Sequence, residues 1–195
     1  MEAALEHFSK VSIFAVHGYC YGLHLQLMME GDLVVATEDT LFSHPAWRYL
    51  GPIFQYTNAL EVMGSRKLKE LLFTGGPFTA KMAAECGMVN KVVPNDLKAL
   101  EKAVSGYAAA VQSRPMDGIV MGKALLLMCM EARGLQIGNM AGWMGHPWMT
   151  NQVFLPHEYN WTKARRDKGF DSALEGADMQ LPPEFRLSRR RRAQK

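Results

Sequence analysis

The sequence predicts an α/β fold that continues into a helical C-terminal half, and three observations support this prediction. A strand, a glycine turn, a helix and a second strand follow one another within residues 11–37. After Pro52 the patterns are mostly helical. The 195 residues, 48% apolar and 21% charged, suffice for one ordinary domain with a sizeable core, which excludes disordered and fibrous proteins.

The first elements are predicted to form a compact βαβ unit. Residues 3–8 resemble the end of a helix, and residues 11–16 (VSIFAV) are typical of a strand buried on both faces of a parallel sheet. After a turn marked by glycines, residues 23–30 predict a helix that ends at Gly31. Residues 33–37 (LVVAT) predict the second buried strand, and we expect a right-handed crossover between the two.

Capping residues and helix breakers define the remaining elements. Ser65, Thr79 and Asp96 are predicted N-caps, and short strands are expected over residues 40–43 and 89–93. Helices are predicted over residues 55–63, 65–73, 80–86, 97–113, 116–133, 157–168 and 170–179.

These elements divide the chain into an α/β core over residues 1–133, a helical region over 134–185 and a basic, disordered tail over 186–195. The core offers few partners for its first strand, and folded proteins usually avoid exposed sheet edges. We therefore expect the core to be partial, lacking an N-terminal portion.

Charge is distributed unevenly along the chain. The last ten residues hold six basic side chains and no acidic one, whereas residues 1–185 hold 16 basic and 19 acidic side chains. A mildly acidic body offers no broad surface for phosphates, so we predict no nucleic-acid partner. The favoured interpretation of the tail is a solvated, disordered segment, and the alternative is a weak electrostatic contact with an anionic partner.

Three cysteines without metal-ligand spacing indicate a reducing compartment and argue against disulfides or structural zinc. The first ten residues lack the apolar core of a signal peptide, and glycines interrupt the longest uncharged stretch, residues 134–157. We therefore predict a cytoplasmic protein with no membrane partner and no metal.

Three ordered blocks resemble the enoyl-CoA hydratase/isomerase (crotonase) family over residues 3 to about 133. They are VSIFAVHGYCYGLHLQLMMEGD at 11–32, LVVATEDTLFSHPAW at 33–47 and ALEVMGSRKLKELLFTGGPFTAKMAAECGMVNKVV at 59–93. The resemblance implies a crotonase-like spiral core of ββα type, N-terminally truncated. It also implies a coenzyme A thioester as substrate or ligand, no further cofactor, and a homo-oligomer, either a trimer or a dimer of trimers.

The same resemblance implies that one of two oxyanion-binding amides is the backbone N–H of Leu23. Such preorganised amides stabilise the negative oxygen that forms on the thioester carbonyl. Gly22 would permit the close approach, and Tyr21, Ala46 and Trp47 would contact the substrate. An ordinary strand–helix turn is the alternative.

The acid/base residues of the family are not matched here. The two hydratase carboxylates align with Gln26, which cannot exchange protons at neutral pH, and with Ala46, which can neither position nor exchange them. His44 is a possible substitute base; the alternative, which we favour from the sequence, is a polar residue that ends a strand. Gln55 occupies the position of the nucleophilic carboxylate of the dehalogenase-like branch.

Two hypotheses about function follow. The first is an enoyl-CoA hydratase/isomerase-like enzyme with an atypical acid/base set, and the second is a catalytically degenerate acyl-CoA-binding or oligomerisation protein. An aromatic and methionine-rich stretch is interpreted as core or subunit interface rather than acyl pocket (Met140, Trp143, Met144, Trp148, Met149). A basic helix face is interpreted as solvated surface rather than a contact for coenzyme A phosphates (Lys163, Arg165, Arg166, Lys168).

Overall fold

Two small sheets organise the N-terminal half of the chain in the computed structural model, which describes residues 2–48 and 55–188. The strands are β1 (Ile13–Val16), β2 (Tyr19–Tyr21), β3 (Leu33–Thr37), β4 (Leu41–Ser43), β5 (Phe78–Thr79) and β6 (Lys91–Val93). The order β1-β3-β6 forms a parallel sheet, and the order β2-β4-β5 forms a mixed one. The α/β class and the expected parallel pairing of β1 with β3 are confirmed.

Helices fill the connections and most of the C-terminal half that the structure describes. They are α1 (Glu2–Glu6), α2 (Leu23–Met29), α3 (Tyr56–Thr74), α4 (Ala80–Glu85), α5 (Leu97–Gln112), α6 (Met116–Ala132), α7 (Leu135–Thr150), α8 (Trp161–Lys168) and α9 (Phe170–Met179). Gly64 interrupts α3 with a non-helical φ of 74°, which agrees with the two helices predicted on either side of it.

The predicted caps at Thr79 and Asp96 are present. The Thr79 side chain accepts a hydrogen bond from the Met82 amide, and the Asp96 carboxylate accepts from the amides of Lys98 and Ala99. These bonds satisfy first-turn N–H groups that have no acceptor inside a helix. Both helices therefore begin where the sequence places them.

The main core lies between α2, α3, α4 and the inner faces of the two sheets. Leu25 and Met28 of α2 pack there with Phe42 of β4, Leu71 of α3 and Phe78 of β5. This packing holds α2 against the end of β2, where the predicted site lies.

The structure corrects several sequence predictions. β1 is not buried on both faces, because Ala15 is exposed and the other three residues of the strand are only half-buried. Residues 19–21, expected to be a turn, form β2, because Gly18 and Gly22 with positive φ redirect the chain at either end. The helix predicted from residue 157 begins at Trp161, after an Asn160 cap that accepts from the Lys163 amide.

α7 covers residues 135–150, for which no individual helix was predicted. Met140, Trp143, Met144 and Trp148 are exposed on α7, so they are not core residues of this chain. The Met149 side chain lies outside the part that the structure describes. Of the helices described, none combines enough length and apolarity to cross a lipid bilayer.

Candidate functional site

The turn between β2 and α2 is built around Gly22. Its φ of 59° and ψ of −122° form a backbone conformation that side-chain-bearing residues rarely adopt. The Gly22 amide donates to the Ser43 carbonyl at 2.9 Å, which ties the end of β2 to the end of β4. The chain then turns directly into α2.

The next backbone amide, that of Leu23, begins α2 and remains available. The first helical hydrogen bond runs from the Gln26 amide to the Gly22 carbonyl at 3.1 Å, so Leu23 lies before the repeating pattern. Among residues 2–48 and 55–188, its N–H meets no acceptor. The ladder from β2 to β4 thus engages the Gly22 amide and leaves the Leu23 amide free for a ligand oxygen.

A cavity of about 680 Å³ lies beside this turn. One wall comprises Tyr19, Tyr21, Gly22, Pro45 and Ala46. Three of the four residues predicted to contact substrate, Tyr21, Gly22 and Ala46, therefore line the same cavity. Trp47 follows Ala46 in the 3₁₀ helix Pro45–Arg48, and its side chain lies outside the described part of the chain.

The remaining wall residues come from the C-terminal third of the chain, none of which was predicted as a site residue. They are Trp161, Arg165, Phe170, Leu174, Leu187 and Ser188. Of the basic helix face, Arg165 contributes to the cavity, whereas Arg166 pairs with Asp167 at 2.8 Å. The run of basic residues was the only sequence signal for this wall, and it was interpreted as solvated surface.

Hydrogen bonds fix this last segment to the site. The Tyr21 hydroxyl donates to the Leu187 carbonyl at 2.7 Å, and the Leu187 amide donates to the Asp178 carboxylate at 2.8 Å. Arg186, predicted as the first residue of a disordered tail, is 6% exposed, and its Nε donates to the Leu181 carbonyl. The anchored part therefore extends through these residues, while residues 189–195 lie outside the description.

Gln26 and His44 are close in the chain to residues of the cavity wall, but their own side chains are buried in the protein interior. Gln26 is 7% exposed on α2, and its side-chain Nε2 finds no acceptor among the residues described. His44 is 3% exposed and directly precedes Pro45 of the cavity wall. Neither side chain belongs to the described wall of the cavity, whereas Leu23 directly follows the wall residue Gly22.

Burial controls the charge of His44. It lowers the pKa of the imidazole from 6.5 to about 4, because removing the charged form from water is costly. The side chain is therefore neutral at pH 7 and can accept a proton but holds none to donate as imidazolium. Gln55, at the position that the resemblance aligns with the nucleophilic carboxylate of the dehalogenase-like branch, is buried at the start of α3.

In the described ranges, no three His, Cys, Asp or Glu side chains form a group that could hold a metal ion. The site thus offers backbone polarity and an apolar cavity.

Comparison with known proteins places the chain in a family. The family defined as enoyl-CoA hydratase/isomerase matches residues 2–136. EchA13 of Mycobacterium tuberculosis is 41% identical over 88 residues, 45% of this chain and 28% of that protein. The mevalonyl-coenzyme A hydratase sidH of Aspergillus fumigatus is 31% identical over 113 residues, 57% of this chain and 41% of that protein.

Solved structures support the fold over most of the chain. An enoyl-CoA hydratase from Mycobacterium smegmatis superposes with a TM-score of 0.80 at 22% identity, covering 95% of this chain and 62% of that one. This chain therefore spans less than two thirds of the length of these relatives. The match over residues 2–136 and the shared crotonase fold show that the chain belongs to the enoyl-CoA hydratase/isomerase family.

Proposed function

We propose that the cavity beside Gly22 binds the acyl portion of a coenzyme A thioester, with the thioester oxygen at the Leu23 amide. The observation that carries this proposal is the free N–H of Leu23 beside a cavity lined largely by aromatic and aliphatic side chains. An apolar cavity with few polar groups suits an acyl chain. A preorganised amide at a developing oxyanion supplies ~3–4 kcal/mol of stabilisation.

The reaction class that fits this arrangement is that of an enoyl-CoA hydratase or isomerase. In both, negative charge develops on the thioester oxygen, so polarisation by Leu23 serves either reaction. In this reaction His44 would accept a proton as a neutral imidazole, and the Gln26 amide would orient water or carbonyl; neither side chain belongs to the described cavity wall, so these roles require them to reach the ligand. No other cofactor is required.

A second candidate is a protein that binds the thioester without converting it. Gln26 and Ala46 at the aligned carboxylate positions favour this candidate, as does the low pKa of His44, which makes the imidazole a weak base. The names of the relatives favour turnover. The two candidates share the binding site and differ only in proton transfer.

The deciding experiment measures binding and turnover separately. Calorimetric titration with butyryl-CoA, a saturated thioester, tests binding, and loss of the conjugated-thioester absorbance of crotonyl-CoA tests hydration. We expect saturable binding, weakened about tenfold or more in Gly22→Ala, whose altered turn misdirects the Leu23 amide. Gly18→Ala is the matched control, because Gly18 also has positive φ with open space around it but is not part of the cavity wall.

Three outcomes are distinguishable. Binding with hydration supports the enzyme, and binding without hydration supports the second candidate, provided that adding the N-terminal part of a relative as a separate polypeptide does not restore turnover. Absence of thioester binding refutes the proposal.

We also propose that the chain forms a homo-oligomer, a trimer by family resemblance, through α6 and α7. None of the described residues of α6 is buried, and both helices expose large apolar side chains (Met121, Leu125, Leu126, Met128, Ile137, Met140, Trp143). Exposed apolar surface of this extent is typical of interaction sites. Sedimentation equilibrium is expected to give a multiple of the 21.9 kDa chain mass, and a stable monomer at micromolar concentration contradicts the proposal.

A further inference from the structure

Arg165 occupies an unusual position in the cavity wall. Its guanidinium carbon lies 5.4 Å from the Trp161 ring centroid and 5.8 Å from that of Phe170. The two rings stand edge to face, 6.2 Å apart at 85°. Cation–π contacts of this kind hold the guanidinium plane over apolar surface while leaving its N–H groups available.

The charge of Arg165 is not neutralised by a carboxylate within the described ranges. Two other surface arginines are paired with acids: Arg166 with Asp167, and Arg133 with Glu61, each at 2.8 Å. The guanidinium of Arg165 instead contacts aromatic rings, whereas those of Arg133 and Arg166 contact carboxylates. Among the described wall residues it is also the only one that carries a full charge.

A lone cation in an apolar wall favours an anionic group on whatever fills the cavity. The guanidinium fork matches the two oxygens of a carboxylate, and covering the pair with apolar groups strengthens their attraction. The rest of the cavity suits a hydrocarbon chain rather than a nucleotide, since Tyr21, Ala46 and Leu174 contribute to its walls.

We propose that Arg165 selects acyl thioesters whose acyl chain ends in a carboxylate. This inference rests on the proposed function: the thioester oxygen lies at Leu23, the hydrocarbon chain crosses the cavity, and the terminal carboxylate meets Arg165. Gly22 and Arg165 line the same cavity, so one ligand can contact both ends. Arg165 is therefore a specificity-determining residue and takes no part in proton transfer.

The test compares two saturated thioesters of equal chain length, hexanoyl-CoA and adipyl-CoA, which differ in a terminal methyl against a carboxylate. Calorimetric titration of the wild-type chain is expected to give about tenfold tighter binding of adipyl-CoA. Arg165→Gln is expected to weaken adipyl-CoA binding more than hexanoyl-CoA binding and so to remove this preference, whereas Arg165→Lys retains part of it. Arg166→Gln, the neighbouring charge loss outside the cavity wall, keeps the full preference.

Further measurements keep the test decisive. In the wild-type chain, the preference for adipyl-CoA is expected to decrease as the salt concentration is raised, because salt screens the attraction between the guanidinium and the carboxylate. This measurement does not depend on the folding of a variant. Adipyl-pantetheine, which lacks the nucleotide phosphates, is expected to remain sensitive to Arg165→Gln.

Two results overturn the inference while leaving thioester binding intact. One is an equal affinity of the wild-type chain for the two acyl groups. The other is a loss in Arg165→Gln that affects hexanoyl-CoA and adipyl-CoA equally and disappears with the pantetheine thioester, which would assign the guanidinium to a phosphate. Failure of the wild-type chain to bind any thioester refutes the proposed function itself.

Discussion

Buried His44 makes the stability of the fold depend on pH in a calculable way. Its pKa is about 4 in the folded chain and 6.5 when the imidazole is exposed to water, because burial penalises the charged form. The folded state therefore binds fewer protons than the unfolded state between these values. The corresponding stability is fully present above pH 6.5 and is lost as the pH falls towards 4.

The size of the effect follows from the two pKa values. Proton linkage gives a loss of about 2 kcal/mol in the free energy of unfolding between pH 7.5 and pH 5 from this one group. Below pH 4 the loss approaches ~3 kcal/mol, since the folded-state imidazole then protonates as well. This is a large part of the stability of an ordinary domain.

Urea unfolding at a series of pH values, followed by circular dichroism, measures this loss. His44→Gln is expected to flatten the stability profile between pH 7.5 and 5, and His24→Gln, at an exposed histidine of α2, is the control for replacing a histidine that is not buried. An NMR titration of the His44 ring protons provides a direct second measurement. A His44 pKa near 6.5 in the folded chain, or an equal effect of the two substitutions, would refute the argument.

Three further predictions concern other parts of the fold. Gly22→Ala and Gly18→Ala should each lower the free energy of unfolding by about 1–3 kcal/mol in urea titrations, since both glycines have positive φ; an unchanged midpoint for Gly22→Ala would contradict the turn geometry. Asp96→Ala should cost about 1 kcal/mol in the same assay through loss of the α5 cap, and a neutral result would show that the cap contributes nothing. Burial raises the pKa of the Cys20 thiol to about 12. Iodoacetamide at pH 8 should therefore modify exposed Cys129 first and Cys20 only when the chain unfolds. Equal modification rates of the two cysteines, measured by mass spectrometry, would be inconsistent with this burial.

Local signals in the sequence predicted the local structure well. The apolar runs of β1 and β3 and the capping side chains at Thr79 and Asp96 act over a few residues, so their patterns are legible in the chain itself. β2 escaped prediction because three residues between two glycines carry too little pattern, and their strand conformation depends on pairing with β4.

The C-terminal part of the cavity wall could not be predicted for a different reason. The Tyr21 hydroxyl and the Leu187 carbonyl that it binds are separated by 166 positions in the chain. No periodicity or spacing reports a contact over such a distance. In the sequence, the basic run that contains Arg165 has the pattern of a solvated helix face. Only the structure shows that the Arg165 guanidinium packs against the rings of Trp161 and Phe170.

Side-chain identity is a poor guide to this site, because its central group is a backbone amide. Every residue except proline has a backbone amide, so the residue type at position 23 does not reveal the role proposed for Leu23. The preceding residue is more informative, because the φ of 59° at Gly22 sets the direction of the Leu23 amide at the end of β2. Under the proposed function, the absence of carboxylates at Gln26 and Ala46 therefore affects proton transfer and leaves carbonyl polarisation by Leu23 unaffected. Thioester binding is thus separate from turnover under this proposal, and only turnover depends on whether neutral His44 can replace the two carboxylates in proton transfer.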